Sequence, residues 1–369
     1  MSLFSSPSSK SFWITLIVFS LSYYLLLAKS TTLHTTSPPP PHKPCNKNPY
    51  EQLNLVLNED GTVTRGPMPP ESPPAPDPSL PTKVLSKDLT INKSKGTWAR
   101  IYLPRETLDR NSKFPLLLFF HGGGFIYLNP AITIFHEFCF NLANDVVAVV
   151  ASIDYRHAPE HRLPAAYEDA METLHWMKTN QEEDDWLRYY ADLDNVFLMG
   201  SSAGGNIAYH AGLRVAAAGG GYDLGIPKIQ GLILVQPFFS GVQMTGSEMR
   251  LADDPHLPLC DNYAKWNLSL PVGADRDHEY CNPTAGDGPK KIEMIGRVGL
   301  RVLVSGCDGD PLADRQMELT RVMEMKGVKV VGYFTAGDYH GAQVQEPSNA
   351  KQLYKVVKSF ISTLPSSRY

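Results

Sequence analysis

The stretch MGSSAGGN, residues 199–206, follows the apolar run NVFL and precedes IAYHAGLRV. Within it, Gly200, Ser202 and Gly204 stand at the spacing G-x-S-x-G. This pattern places one serine on a sharp turn between a strand and a helix, where flanking glycines let neighbouring backbone approach without a Cβ clash. Ser202 takes the apex and Ser201 the variable slot. The amide of Ala203, at the start of the following helix, is free to face whatever the serine attacks.

The chain around this turn alternates short apolar runs with segments of helical periodicity. FPLLLFFH, VVAVVASIDY, NVFLMGSS, IQGLILVQ, LRVLVSG and KVVGYF read as strands apolar on both faces, as buried parallel strands are. PAAYEDAMETLHWMKTN, GGNIAYHAGLRVAAAG and DRQMELTRVMEMKG read as helices between them. A last helix carries Leu353, Val356, Val357, Phe360, Ile361 and Leu364 on one face. The alternation predicts an α/β domain with a mostly parallel central sheet flanked by helices. Residues 240–297 break it, and so long a connection, carrying a tryptophan, tyrosines and leucines, reads as an ordered lid.

A second glycine cluster, His121-Gly122-Gly123-Gly124-Phe125, directly follows FPLLLFF. Bare backbone N–H groups of Gly123 and Gly124, with that of Ala203, suit a developing oxyanion, which is what acyl transfer requires. His121 and Gly122 read as the supporting part of this loop, His121 bracing it by hydrogen bonds. A serine hydroxyl needs a neutral imidazole to take its proton and a carboxylate to orient that imidazole. Of the histidines after Ser202, His210 falls within a helix and His256 and His278 in the long insertion, whereas His340 follows KVVGYF on a late loop. His340 is therefore the candidate base. For the acid, SGCDGDPLADRQ offers Asp308, Asp310 and Asp314, and position after the strand does not choose among them.

Together HGGGF, DYRHAPEHRLPAAYEDA, MGSSAGGNIAYHAGLR, PVGADRDHEYCNP and DPLADRQ resemble the plant carboxylesterases of the hormone-sensitive-lipase-like group, an α/β-hydrolase fold. The resemblance spans roughly residues 47–363. It implies the D-x-L-x-D pattern with Asp310 as the triad acid, an N-terminal segment and the insertion forming a cap, and small esters with short acyl chains as substrates. No cofactor or metal is implied. Related chains act as lyases or intramolecular acyl-transfer enzymes of specialised metabolism, or as hormone receptors that lack the histidine; retention of Ser202, His340 and the loop glycines favours hydrolysis.

A net charge of −4 and the absence of a basic block exclude an electrostatic footprint for nucleic acid. Residues 12–28, FWITLIVFSLSYYLLLA, follow Lys10 and carry no charge. They read as a signal peptide or a short membrane anchor, which favours entry into the secretory pathway or membrane association, with a cytoplasmic protein as the alternative. The chain thus divides into this leader, residues 1–30, a Pro-rich linker and cap segment, 31–81, and the catalytic domain, 82–369, with the insertion at about 240–297. Asp60-Gly61 marks a hairpin-like turn in the cap segment, and Asn92 and Asn267 head N-x-S sequons. Cys45, Cys139, Cys260, Cys281 and Cys307 are odd in number and widely spaced, which reads as buried, inert thiols. In YRHAPEHRLPAA, Arg156 and Glu160 are expected to form a buried pair.

Overall fold

Each apolar run carries side chains that alternate between two buried faces. In the run FPLLLFF, Leu116, Leu118 and Phe120 join one core and Leu117 and Phe119 another, all without solvent exposure. This is why such strands lie inside the sheet, with helices on both sides. The computed structural model describes Cys45, residues 47–220 and residues 224–363. The hydrophobic run 12–28 and Leu364 lie outside the described residues; among those described, no helix is long and apolar enough to cross a membrane.

Among the described residues, ten strands form two sheets. A small antiparallel pair, β1 (Val56–Leu57) and β2 (Val63–Thr64), flanks the Asp60-Gly61 turn, where Asp60 Oδ1 accepts from the Thr62 amide. The central sheet comprises β3 (Val84–Asn92), β4 (Thr97–Pro104), β5 (Phe114–Phe120), β6 (Val149–Ile153), β7 (Ala191–Ser201), β8 (Ile229–Val235), β9 (Arg301–Gly309) and β10 (Lys329–Tyr339). Its order is β10-β9-β8-β7-β5-β6-β4-β3. The strands from β10 to β6 run parallel, and β4 and β3 continue the sheet antiparallel. The helices Ala165–Thr179, Ala203–Ala217, Gly288–Arg297 and Ala313–Met325 cover one face. Thr133–Val146 and Pro347–Ser362 cover the other, the latter burying Leu353, Val357, Phe360 and Ile361.

The structure corrects four expectations. KVVGYF is not buried on both faces: β10 is an edge strand, with Val331 47% and Phe334 38% exposed. The run VVAVVASIDY is split, since Val146 ends a helix, Val147 adopts a left-handed turn at φ 63° and the strand begins only at Val149. The cysteines are not all thiols: Cys45 and Cys260, 215 positions apart, form a disulfide, while Cys139, Cys281 and Cys307 are free and buried. Arg156 and Glu160 do not pair. Arg156 binds Asp169 at 2.7 Å, and Glu160 binds Arg65 at 2.7 Å.

Arg65 also donates to the carbonyls of Ile126 and Ala158, so the N-terminal segment is stitched to the loops that follow β5 and β6. Further along, Pro70 and Ser72 exchange backbone hydrogen bonds with Thr133 and Ala131. The insertion is ordered by its own apolar anchors. Trp266, in the helix Leu259–Ser269, is fully buried and stacks on Phe238 at 4.9 Å. The disulfide ties this helix to the N-terminal segment.

Candidate active site

Strand β7 ends at Ser201 and the next helix begins at Ala203, leaving Ser202 alone at the junction with φ 54° and ψ −118°. A left-handed non-glycine residue costs about 1–3 kcal/mol, so the surroundings must hold it. They do: the Ser202 amide donates to Val235 O and its carbonyl accepts from the Phe238 amide, both at 2.9 Å. A Cβ on Gly204 would collide with the carbonyl of Phe120, at the end of β5, so only glycine lets helix and strand cross here. Ser201, by contrast, is a strand residue, 4% exposed.

Ser202 Oγ lies 2.8 Å from His340 Nε2, and His340 Nδ1 lies 2.8 Å from Asp310 Oδ2. With the Nδ1 proton directed at the carboxylate, Nε2 offers its lone pair to the hydroxyl. Asp310 is fully buried and fully bonded. Gln316 Nε2 donates to its Oδ2 at 2.8 Å, Gln236 Nε2 to the same atom at 3.3 Å, and the Leu312 amide to Oδ1 at 2.8 Å. Gln236, itself left-handed at φ 44°, also accepts from the amide of Gly341 and donates to Tyr339 O, bracing the histidine loop on both sides. Asp308 instead accepts from the Gly337 amide, and Asp314 from the Ser247 amide.

The glycine loop stands opposite the serine. Gly123 has φ 114°, and a Cβ there would strike the carbonyl of Tyr127, so the loop requires glycine. That carbonyl's neighbour, Gly123 O, accepts from the amides of Ile126 and Tyr127. The amides of Gly123 and Gly124 make no hydrogen bond among the described residues. Ala203 is the first residue of its helix and has no intrahelical acceptor for its amide.

His121 is behind this loop rather than in the pocket. It is unexposed, stacks on Tyr155 at 4.4 Å, and its Nδ1 meets the Gly122 carbonyl at 2.7 Å, while Tyr155 donates to His121 O. Burial holds its pKa down at about 4, so it is neutral. Asp154 and His157 lie beside it, ligand atoms within 4.8 Å of one another. Burial raises the Asp154 carboxyl to about 7 and lowers His157 to about 3. His121 Nε2 and Asp154 Oδ1 are 4.0 Å apart, wider than the roughly 3.4 Å edge of a tetrahedral zinc site.

A pocket of about 630 Å³ opens over Ser202. Its walls are mainly apolar, from Leu53, Met68, Leu128, Ile132, Phe238 and Val344, and it draws on both the N-terminal segment and the insertion. His256, stacked on Tyr339 at 3.8 Å, and Lys265 line it from the insertion. His210 does not reach it, being buried against Tyr167 at 4.5 Å.

Sequence reading missed Gln236, Gln316 and Lys265. Gln236 was detectable in principle, as a polar residue ending the apolar run IQGLILV. Gln316 and Lys265 sit in helical segments with no local signal.

Residues 117–344 match the family described as alpha/beta hydrolase fold. The chain is 46% identical to Carboxylesterase 20 of Arabidopsis thaliana, over 85% of this chain and 96% of that one. It is 40% identical to a 3-O-acetylpapaveroxine carboxylesterase of Papaver somniferum, over 85% of this chain and 99% of that one. In structure it resembles the esterase of Pyrobaculum calidifontis, with TM-score 0.62 and 24% identity, over 78% of this chain and 87% of the other.

Proposed function

The chain belongs to the α/β-hydrolase family as a carboxylesterase of the plant type, and from this premise we propose that Ser202, His340 and Asp310 are its catalytic triad. The observation that carries the assignment is the unbroken relay of two 2.8 Å contacts from Ser202 Oγ through His340 to Asp310.

In the first half-reaction Ser202 Oγ attacks the ester carbonyl while its proton passes to His340 Nε2. The tetrahedral oxyanion is received by the amides of Gly123, Gly124 and Ala203, an assignment supported by the absence of any other acceptor for the two glycine amides among the described residues. Collapse expels the alcohol, which takes the proton from His340, and leaves an acyl-enzyme. Water then enters and attacks the acyl carbonyl as its proton passes to the same nitrogen; collapse breaks the bond to Ser202 Oγ, which takes that proton back from His340, and the acid is released. Asp310 keeps its charge throughout and stabilises the imidazolium.

The N-terminal segment and residues 240–297 act as the cap, since both contribute walls to the pocket. A pocket of about 630 Å³ holds much more than an acetyl group. A relative named a 3-O-acetylpapaveroxine carboxylesterase supports an acetyl ester, and so a short acyl chain. Labelling by an organophosphate, located by peptide mapping, tests the nucleophile; a label on any residue but Ser202 rejects the assignment.

The leader and the disulfide together support an oxidising destination, because structural disulfides persist outside the reducing cytosol. Expression in a eukaryotic secretory host should yield protein in the medium, or in membranes if residues 12–28 remain. A cytosolic product with an intact N-terminus rejects this reading.

A further inference from the structure

Among the described residues, the pocket over Ser202 contains one formally charged lining side chain, Lys265, and no carboxylate. Lys265 lies on the helix Leu259–Ser269, and its stem rests on the glycine loop: a Cβ added to Gly124 would meet Lys265 Cδ at 2.5 Å. Among the described residues its ammonium has no hydrogen-bond or ion-pair partner. Asp261, one turn earlier on the same helix, is outside ion-pair distance and instead accepts from Gln52 at 2.6 Å. Burial lowers the lysine's pKa, opposed only by the field of Asp261. A surface lysine needs no partner, because water solvates it. Lys265 is half-buried, so its ammonium keeps only part of that water, and an anion arriving in the apolar cleft stabilises it.

We propose that Lys265 makes this pocket selective for esters that carry a carboxylate, on the acyl or the alcohol part, a few atoms from the scissile bond. The inference rests on the esterase reading for turnover, but the binding preference stands independently of it. A hydrogen-bonded ion pair in a partly desolvated site is worth about a tenfold to hundredfold preference over a neutral isostere. Any assistance of Lys265 to the oxyanion would act on charged and neutral esters alike and cancel in their ratio.

The test compares two matched pairs: monoethyl glutarate with its primary amide, charged on the acyl side, and 4-acetoxybenzoate with 4-acetoxybenzamide, charged on the alcohol side. Calorimetric Kd values on the full chain bearing Ser202→Ala give binding, and kcat/KM on the unmodified chain gives turnover. At least one acid should exceed its amide about tenfold or more, and the pair that does so identifies the part carrying the charge. Lys265→Met should collapse that ratio towards one or below, and Lys265→Arg should retain most of it. Where Lys265→Met does not fold, the near-isosteric Lys265→Gln replaces it. The proposal is overturned if neither acid is preferred, or if the ratio survives loss of the lysine. Hydrolysis of the amides without preference for the acids rejects this inference and leaves the esterase reading intact. Absence of hydrolysis of all four, with the binding preference present, does the reverse.

Discussion

Asp310 and Asp308, two residues apart, face opposite ways: Asp310 Oδ2 lies 2.8 Å from His340 Nδ1, while Asp308 Oδ1 accepts from the Gly337 amide at 2.7 Å. Removing the triad carboxylate of a serine protease lowers turnover about 10⁴-fold. Asp310→Asn should therefore lose on the order of 10⁴ in kcat, and Asp308→Asn far less. Turnover of both variants, with folding checked by circular dichroism, decides; a dead Asp308→Asn beside an active Asp310→Asn rejects the assignment.

The neighbouring serines separate in the same manner. Ser202 meets His340 at 2.8 Å, whereas Ser201 is the last residue of β7. Ser202→Ala should abolish hydrolysis of p-nitrophenyl esters, and Ser201→Ala should keep most of it. Loss in both variants with intact folding would mean that Ser201 shares the chemistry.

The Cys45–Cys260 bond closes a loop of 215 positions. Its removal relaxes a constraint on the unfolded chain, typically worth about 2–4 kcal/mol. The double variant Cys45→Ser, Cys260→Ser should unfold at lower denaturant concentration than the oxidised chain. Equal midpoints would show that the cross-link contributes nothing to stability.

His210 sets a pH dependence of stability. Burial lowers its pKa from 6.5 to about 3, so below pH 6.5 the unfolded chain binds a proton that the folded chain refuses. Its contribution is fully present above pH 6.5 and is lost as pH falls towards 3, at about 1.4 kcal/mol per pH unit in between. Asp154, raised to about 7, acts in the opposite sense, losing stability as pH rises from 3.8 to 7. The difference between the wild type and His210→Phe isolates the histidine: the variant's unfolding free energy should fall less steeply on acidification. Parallel profiles between pH 4 and 6.5 would sink the argument.

Much of this site was legible because its requirements are local. A serine in a left-handed turn between two glycines, and a loop that needs φ 114° at Gly123, announce themselves within a few residues. Apolar runs likewise reported the inner strands. They misled at β10, since KVVGYF has the composition of a central strand and only its place in the sheet order makes it an edge. Strands β3 and β4 went unmarked: mixed burial blurs the period of Val84–Asn92, and in Thr97–Pro104, buried nearly throughout, Arg100 interrupts the apolar run.

By itself, the sequence determined the serine turn, the glycine loop, the α/β alternation and the candidacy of His340, each written in spacing and backbone demand. Tertiary structure alone paired Cys45 with Cys260, gave Glu160 to Arg65 rather than Arg156, gathered Gln236 and Gln316 around Asp310, and laid Lys265 over Gly124. Apart from the short helical step to Gln316, these contacts join positions about 70 or more residues apart. Such partners are chosen by which surfaces the packed sheet and insertion bring together, and no local pattern carries that information.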